Sequence, residues 1–448
     1  MPPRQGEWIL GADERLKSFR QLLVHARERL GVDFGFVLWD GSTVPSDLAP
    51  NAFALSFADE GAIGALIRRP KIETLANLWV AGRIDLRNGT LFDLVARRPT
   101  VRTRELRKTL DKTLLVKTLA KFLLVPRGGP WPLEDIHGDK ARSGTETENK
   151  DNIQYHYDVS NAFYALFLDP QMVYSCGYFT DWSNDIATAQ RDKLDIICRK
   201  LRLKQDETFL DIGSGWGALV CHAAQNYGVR AHGVTLSETQ FALANEKVAK
   251  LGLEGRVTIE LKDYTRLEGS FDKIASIGMF EHVGLANHRT YFQTINRLLK
   301  PQGLYLHHAI ARSTKADAKG FRRKRPEAVA IARYIFPGGE LDHIGMTAAN
   351  LESGGFEVHD VEAWREHYAR TCRLWHDRLL ENRKAAEREV GKHKMRLWLA
   401  YLAGVSIALR AQHAADFSDA GIQTQQRHVR VAADARRSIP VIQSIPSS

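Results

Sequence analysis

A glycine-rich turn after an apolar strand is the first feature of the sequence that could bind a ligand. It reads Asp211-Ile-Gly213-Ser-Gly215-Trp-Gly217. Glycines let the backbone approach a ligand closely, and the helix that follows offers free N–H groups. Dinucleotide-binding folds use a related turn, so a glycine-rich turn alone is a weak signal. An acidic residue ahead of G-x-G-x-G fits a nucleoside-binding methyltransferase better than a dehydrogenase, and Asp211 would suit a cationic amino group.

Several other ionisable side chains could do chemistry, and Glu281 and His308 among them lie at the ends of predicted strands. They are Glu281 beside His282, His308 beside His307, Cys176 and Tyr368. Each has a plain structural alternative. The Glu-His pair could be a surface pair, and the His-His pair a satisfied core pair or half of a metal site. Cys176 could be a small buried hydrophobe, and Tyr368 could pack a helix start.

The elements that would position these residues alternate between strand and helix. Helical segments, such as 237–251 and 288–299, separate the strands. Such alternation predicts a parallel, doubly wound α/β sheet, in which ligands bind beyond the carboxyl ends of the strands. The five predicted strands are 208–212, 230–235, 257–261, 271–277 and 303–309.

Length and composition set the domain plan. The 448 residues exceed one ordinary domain, and a hydrophobic content of 44% is ample for packed cores. We predict an N-terminal, smaller mixed α/β domain over 1–125, a polar linker over 126–151, a catalytic domain over 152–426 and a loose basic tail over 427–448. The four cysteines lack CxxC spacing, so neither a zinc knuckle nor a disulfide framework is indicated.

The formal charge of +10 points to an anionic partner without choosing among nucleic acid, lipid and simple solvation.

The segment 101–125 resembles a cationic amphipathic helix, with leucines at three- and four-residue spacing among seven Lys and Arg residues. Two interpretations stay open: a helix packed on its own domain with a solvated basic face, and a helix on a membrane surface. Arg322 to Arg325 form a second basic run. No apolar stretch is long enough to span a bilayer.

Eight sequence blocks, in order, resemble the cyclopropane-fatty-acyl-phospholipid synthase and mycolic-acid cyclopropane synthase family. Together they cover about 152 to 426, and the N-terminal part, with its LWDG block, resembles the phospholipid-acting members more weakly. The resemblance implies a class I methyltransferase fold that uses S-adenosylmethionine (SAM). The blocks are QYHYDVSNAFY, YSCGYF, LDIGSGWG, GVTLSETQ, SIGMFEHVG, HHAI, IFPGGEL and HYARTCRLW.

The resemblance also implies site residues. A bicarbonate ion would lie in a cradle of Cys176, Glu281, His308, Ile310 and Tyr368, with Glu281 accepting from the ion while His308 and Tyr368 donate to it. No metal is implied. Val405 stands where family members often carry a cysteine, which leaves the cradle intact. SAM contacts would come from Tyr157, Tyr174, Ser175, Asp211, Gly213, Gly215, Thr235, Leu236 and Gln240, with Asp263 and Tyr264 flanking the adenine.

The implied reaction adds a methylene across cis double bonds of phospholipid acyl chains. It leaves a carbocation on the lipid, so the pocket must be dry, with Phe179, Phe280 and Phe336 as candidate walls. A methyl-branched lipid, another amphipathic acceptor and a catalytically silent SAM- and lipid-binding protein are the alternatives. The expected partner is an anionic phospholipid surface and not nucleic acid, a homodimer is compatible, and the expected location is cytoplasmic at the inner face of the membrane.

Overall fold

The computed structural model describes residues 5–98, 110–134, 159–315, 317, 320–321, 323 and 325–411. These residues form two compact units. Unit 1 contains the described residues up to 134 together with 391–407, and unit 2 contains 159–390 and 408–411. A long helix near the end of the described chain passes from unit 2 to unit 1 at Gly391. The φ of 78° at this residue interrupts the helix. No helix of the described part is long and apolar enough to cross a membrane.

Unit 1 is a small α/β fold around one apolar core. Its four strands lie in the order β2-β1-β3-β4, and only β1 and β3 run parallel. Arg396 ties residues 391–407 to this unit, because its guanidinium donates to Trp79 O at 2.8 Å and to the Asp85 carboxylate at 2.9 and 3.1 Å. The elements are α1 Gln5–Leu30, β1 Gly35–Val37, β2 Thr43–Val44, β3 Ala54–Phe57, α2 Glu60–Arg68, α3 Ile72–Val80, β4 Ile84–Arg87, α4 Leu91–Ala96 and α5 Lys112–Ala120.

The described part of the predicted basic helix is shorter than expected. Its helix α5 begins after the N-cap Asp111, whose carboxylate accepts from Thr113 N at 2.8 Å, and ends at Ala120. Leu114, Leu115 and Leu119 pack against the core of unit 1. The apolar face predicted from leucine spacing is therefore the inward face, and the N-terminal part of the prediction, residues 101–109, lies outside the described residues.

Unit 2 has a five-stranded, fully parallel sheet in the order β7-β6-β5-β8-β9. The chain reverses direction across the sheet between β5 and β8, and ligands bind at such a switch point. The strands are β5 Thr208–Ile212, β6 Arg230–Thr235, β7 Val257–Leu261, β8 Phe271–Ile277 and β9 Leu299–His308. The helices are α6 Asn161–Ala165, α7 Ile186–Lys200, α8 Ala218–Tyr227, α9 Glu238–Lys250, α10 His288–Leu298, α11 Pro326–Tyr334, α12 Ile344–Ser353, α13 Arg365–Glu381 and α14 Arg383–Ala411, of which residues 391–407 belong to unit 1.

The predicted α/β architecture is confirmed in its detail as well as its class. The first four predicted strands match the observed ones, while the fifth begins at Leu299, earlier than predicted. Apolar residues from both faces of this sheet form two cores, one under α7 to α9 and one under α10 and α12. The carboxyl edge of the sheet is consequently left for the site residues.

Candidate functional site

A cavity opens at the carboxyl ends of β5, β6 and β8, on both sides of the switch point. Its wall is built largely from the loops that follow these strands, from the segment before α7 and from one side chain of α7 itself. The lining residues include Tyr174, Ser175, Lys193, Asp211, Gly213, Ser214, Gly215, Trp216, Thr235, Leu236, Gln240, Asp263, Tyr264, Gly278, Met279 and His282.

Ten of the eleven residues predicted to bind the cofactor line this cavity. Tyr157, the remaining one, lies outside the described residues. The ten converge although they are spread over some ninety positions of the chain, because each follows a strand or precedes the first long helix. They are Tyr174, Ser175, Asp211, Gly213, Gly215, Thr235, Leu236, Gln240, Asp263 and Tyr264.

The glycine turn fits the cavity by its backbone conformation. Gly213, Gly215 and Gly217 have φ values of 81°, 54° and 77°, a region that side chains disfavour. A Cβ on Gly213 would lie 2.9 Å from Met279 Cγ. The turn can therefore hold its shape against the loop after β8 only with glycine at this position.

Polar side chains hold the other edges of the cavity in place. Thr235 Oγ1 donates to Gln240 Oε1 at 2.9 Å, which joins the end of β6 to the start of α9. Asp263 Oδ1 accepts from Thr265 N at 2.8 Å and so caps a short 3-10 turn that begins at Tyr264. The residues after β6 and β7 are thus preordered at the wall.

The cavity contains buried charges of both signs. Burial raises the pKa of Asp211 to about 7, although the Lys193 ammonium opposes the shift. Its Oδ1 has no hydrogen-bond partner among the described residues. Burial lowers the pKa of Lys193 to about 8, while Asp169, Cys176 and Asp211 oppose that shift. An unpaired carboxylate and a buried ammonium on one wall fit a zwitterionic amino-acid group such as the one SAM carries.

A second group of predicted residues lies next to this cavity without lining it. Glu281 Oε1 accepts from Ile310 N at 2.6 Å, which links the ends of β8 and β9. Its Oε2 is buried and has no partner in the described part of the chain. Burial raises the pKa of Glu281 to about 7, and Asp342 adds to the rise. Glu281 is therefore protonated in a substantial fraction of molecules at neutral pH.

Trp364 connects the other three cradle residues. His308 packs against its ring with centroids 5.0 Å apart, Cys176 Sγ lies 3.7 Å from Trp364 O, and Tyr368 N donates to the same oxygen at 2.9 Å. His308 Nδ1 and Trp364 Nε1 are buried with no partner among described residues. Burial and the Lys193 ammonium lower the pKa of His308 to about 4, so this imidazole is neutral.

The cradle and the cavity share a wall. Gly278 and Ser175 line the cavity; Gly278 N donates to His308 O at 2.8 Å, and Ser175 directly precedes Cys176. Burial raises the pKa of the Cys176 thiol well above its usual range, which keeps it neutral. The described residues contain no cluster of three His, Cys, Asp or Glu side chains able to hold a metal.

His307 points away from this site. Its Nδ1 lies 2.9 Å from Tyr305 Oη, and its ring packs edge-on against Phe280 at 4.6 Å. Phe280 itself is part of the core under α10 and does not line the cofactor cavity, so its role beside the lipid stays a prediction. Phe179 instead stacks with Trp182 and His367. The aromatic wall nearest the cradle is Trp364, which the sequence motifs did not single out.

Sequence reasoning also missed Lys193, Trp216 and Met279 in the cavity wall. Lys193 lies inside a helix and belongs to no glycine-rich or strand-end motif, so only its place among apolar neighbours at 194, 196 and 197 marks its inward face. Trp216 lies between two glycines of the turn, where the motif itself assigns it no role. Its Nε1 donates to Asn161 Oδ1 at 2.8 Å.

Comparisons with known proteins bear on the identity of this site. A family profile described as Mycolic acid cyclopropane synthetase matches residues 144–417. The chain belongs to this family. It is 35% identical over 385 residues to a probable fatty acid methyltransferase of Pseudomonas putida, which covers 86% of this chain and 90% of that protein. It is 39% identical over 257 residues to the cyclopropane-fatty-acyl-phospholipid synthase of Escherichia coli K12, covering 57% and 64% of the two chains.

Solved structures agree with the family. The cyclopropane synthase MmaA2 from Mycobacterium tuberculosis shares 32% identity and superposes with a TM-score of 0.55 over 58% of this chain and 93% of its own. The mycolic acid cyclopropane synthase CmaA1, complexed with SAH and CTAB, gives the same TM-score at 33% identity over the same shares of the two chains. The chain is a SAM-dependent methyltransferase with a class I α/β fold.

Proposed function

We propose that this methyltransferase converts cis double bonds of unsaturated phospholipid acyl chains into cyclopropanes. The observation that carries the proposal is the base site, by which we mean the cradle of Cys176, Glu281, His308, Ile310 and Tyr368 beside the cofactor cavity. There, Glu281 Oε2 and His308 Nδ1 are buried and lack partners among the described residues. Buried polar groups without partners are uncommon in folded proteins, so each of these two atoms is suited to bind a small polar ligand. The relatives named cyclopropane synthases support the same chemistry.

The residues of the cavity would hold and orient the cofactor. SAM, when bound, supplies an activated methyl group on a sulfonium centre. The glycine turn at Gly213 and Gly215 approaches it with backbone alone, and Thr235 and Gln240 stay fixed by their mutual hydrogen bond. Asp263 and Tyr264 lie on the side of the cavity after β7, where the adenine would bind.

The base site fits a bicarbonate ion. When bound, bicarbonate supplies a base that takes a proton from the newly added methyl, which closes the ring. Glu281, whose pKa is near 7, can share a proton with the ion and so avoid placing two full negative charges together. Neutral His308 and the Tyr368 hydroxyl are the proposed donors to its oxygens.

Water must be kept from the lipid cation that methyl transfer generates. Aromatic rings near the base site supply a suitable wall. Trp364 packs against Tyr178 at 5.1 Å, and Tyr178 stacks on His367 at 4.7 Å with an interplanar angle of 11°. Such π faces also attract positive charge when water is excluded.

A methyl-branched product is the second candidate function. It is favoured by two relatives whose names state methyl transfer to a fatty acid and not cyclopropane formation. They are the Pseudomonas putida protein and a tuberculostearic acid methyltransferase of Mycobacterium tuberculosis, 34% identical over 311 residues. Both products arise from the same lipid cation. They differ in which proton the cation loses: loss from the added methyl closes the ring, and loss from a neighbouring chain carbon leaves a methyl-branched alkene.

Purified protein incubated with SAM and unsaturated phospholipid vesicles tests the function. Mass spectrometry of the released fatty acids should show a gain of about 14 daltons, one methylene, and proton NMR should show shielded cyclopropane protons. An olefinic methyl-branched product would favour the second candidate. Absence of any SAM-dependent lipid product would refute both.

The proposed partner is an anionic phospholipid surface, which unit 1 would contact. The outward side of α5 and of the turn after it bears apolar residues: Val116 is 64% exposed, Leu123 48% and Leu124 92%. Arg68 fixes the turn, because its guanidinium donates to Leu123 O at 2.8 Å and to Val125 O at 2.6 Å. The two leucines are therefore held outward by a rigid backbone.

Charge around this apolar surface complements an anionic membrane. Between Lys112 and Leu133 the sequence has four cations and no acidic residue. Lys121 and Arg127 pair with Glu14 and Glu134 at 2.6 and 2.7 Å, while Lys112 and Lys117 are exposed on α5 or at its start. Exposed apolar side chains beside cations are typical of segments that lie in the membrane interface. We propose that this surface holds the enzyme at the bilayer that contains its substrate.

Vesicle sedimentation tests the membrane contact. Binding to phosphatidylglycerol vesicles should exceed binding to phosphatidylcholine vesicles and fall steeply with salt. Leu123→Asp combined with Leu124→Asp should reduce it roughly tenfold or more, since buried apolar area is lost and negative charge is added. Leu75→Asp, at another exposed leucine of unit 1, is the matched control. Equal losses in the control and the double variant would contradict the assigned surface.

A further inference from the structure

Lys193 is a buried cation in the wall of the cofactor cavity. It lies on α7, its residue is only 2% exposed, and its Nζ donates to Ser175 Oγ at 2.9 Å. No carboxylate of the described residues lies within ion-pair distance of it. A buried ammonium that has only a hydroxyl for a partner is costly for the fold, so its place on a cavity wall calls for an anionic ligand.

The nearby acidic groups do not neutralise Lys193 directly. Asp169 is occupied by backbone donors, because its carboxylate accepts from Gln171 N and Val173 N at 2.8 Å each. Asp211 lines the same cavity and leaves Oδ1 without a partner among described residues. The remaining titratable groups that interact with Lys193 are Cys176, His222 and His308. Cys176 and His308 are neutral, and burial, together with Lys193, lowers the pKa of His222.

We propose that Lys193 supplies the cationic half of a two-charge clamp for the amino-acid end of SAM, in which Asp211 is the anionic half already expected from its place before the glycine turn. Lys193 and Ser175 bind the α-carboxylate, and Asp211 binds the α-ammonium. The proposal rests on this cavity being the SAM site. Each charge of the ligand meets an opposite charge that is already buried and fixed, and hydrogen bonds between charged groups are the strong ones in proteins. The clamp also explains why the fold tolerates a buried lysine outside every recognised motif.

The clamp predicts how the cavity discriminates between fragments of the cofactor. The three probes are S-adenosylhomocysteine, its decarboxylated analogue, which keeps the amine, and methylthioadenosine, which lacks the whole amino-acid end. In isothermal titration with the full-length protein we expect affinity to fall in that order. Loss of the carboxylate should cost roughly 10- to 100-fold, the range for a hydrogen bond to a charged group.

Two variants assign the charges. In Lys193→Gln the affinity for S-adenosylhomocysteine should fall roughly 10- to 100-fold, while the affinity for the decarboxylated analogue stays within about twofold. In Asp211→Asn both amine-bearing ligands should weaken, and methylthioadenosine should not. Lys247→Gln is the control, because Lys247 also lies near Asp169 but donates to Gln171 O at 2.8 Å and does not line the cavity.

The outcomes separate this proposal from the cofactor site itself. If the wild-type protein fails to bind S-adenosylhomocysteine, the assignment of the cavity to SAM is wrong. If the wild type binds S-adenosylhomocysteine and its decarboxylated analogue equally, the cavity has no carboxylate site and the clamp is rejected. If Lys193→Gln weakens both ligands equally, as a structural role would require, Lys193 is not the carboxylate partner. Thermal melting of each variant shows whether a loss of affinity is caused by a loss of folding.

Discussion

The cofactor cavity and the base site lie at the same edge of one sheet, but the buried ionisable groups are charged in the first and close to neutral in the second. The cavity exposes a cation and an anion, Lys193 and Asp211, to the same open space. The base site holds a neutral imidazole, His308, and a carboxyl group, Glu281, whose pKa is near 7. Fixed opposite charges suit a zwitterion that is bound and released. Ionisable groups that carry little charge suit a site at which a proton is transferred.

The largest effect should come from the base site and leave the cavity untouched. Glu281→Gln keeps the side-chain volume and an oxygen that can accept from Ile310 N, but it cannot share a proton. Loss of a positioned acid–base group typically costs 10²- to 10⁴-fold in rate. We expect turnover on unsaturated phospholipid vesicles to fall by about that factor, with S-adenosylhomocysteine affinity within about twofold of wild type.

Titration calorimetry beside the turnover assay separates the two sites in Glu281→Gln. Glu340→Gln is a suitable control, since Glu340 accepts from Leu285 N and bonds Glu281 only through the backbone. A collapse of cofactor affinity in Glu281→Gln would show that the two sites are one.

The second effect concerns the cavity backbone. Gly213→Ala places a side chain where φ is 81° and where Cβ would lie 2.9 Å from Met279 Cγ. Backbone strain of about 1–2 kcal/mol, together with the displaced Met279, should lower S-adenosylhomocysteine affinity about tenfold and reduce the melting temperature. Gly252→Ala is the control, because its φ is 65° but a Cβ there meets open space. It should lower the melting temperature alone, and equal affinity losses would mean that strain, not the collision, disturbs the cavity.

Much of the cavity could be predicted from sequence, and the reason is local. The glycine turn at 211–217 must adopt positive φ values, and the residues after β6 and β7 are placed by strands that the apolar pattern marks clearly. The ten described cofactor residues therefore meet at the cavity wall as the family resemblance implied.

What could not be predicted depends on packing between distant parts of the chain. Lys193 lies in the cavity wall because α7 packs one particular face against the sheet. Trp364 contacts the base site because the loop that carries it packs against His308 and Cys176. Leucine spacing in α5 correctly indicated an amphipathic helix, but only the fold shows that those leucines face inward and that Leu124 faces out. The proposed roles of the base-site residues stay predictions.

A smaller effect should appear as a pH dependence of binding that belongs to the cavity. The proposed clamp needs Asp211 deprotonated, with a pKa near 7, and Lys193 protonated, with a pKa near 8. Affinity for S-adenosylhomocysteine should therefore rise roughly sixfold from pH 6 to 7.5 and decline above about pH 8, beyond the ligand's own titration. Calorimetry across this range provides the measurement, and Asp211→Asn should abolish the rise. A flat profile in the wild type would contradict the charge contrast between the sites.

The smallest effect tests whether Trp364 belongs to the base site through its N–H or only through its ring. Trp364→Phe keeps an aromatic face against His308 and removes Nε1, which is buried and lacks a partner among the described residues. Because Glu281 and the ion would share a proton, the acceptor carries less than a full charge. Loss of this hydrogen bond then corresponds to about 1 kcal/mol, so turnover should fall about fivefold and need more bicarbonate. Trp364→Leu removes the ring as well and should cost more. If Trp364→Phe equals wild type at every bicarbonate concentration, the indole acts only as a wall, and the base site depends on Glu281 and His308 without it.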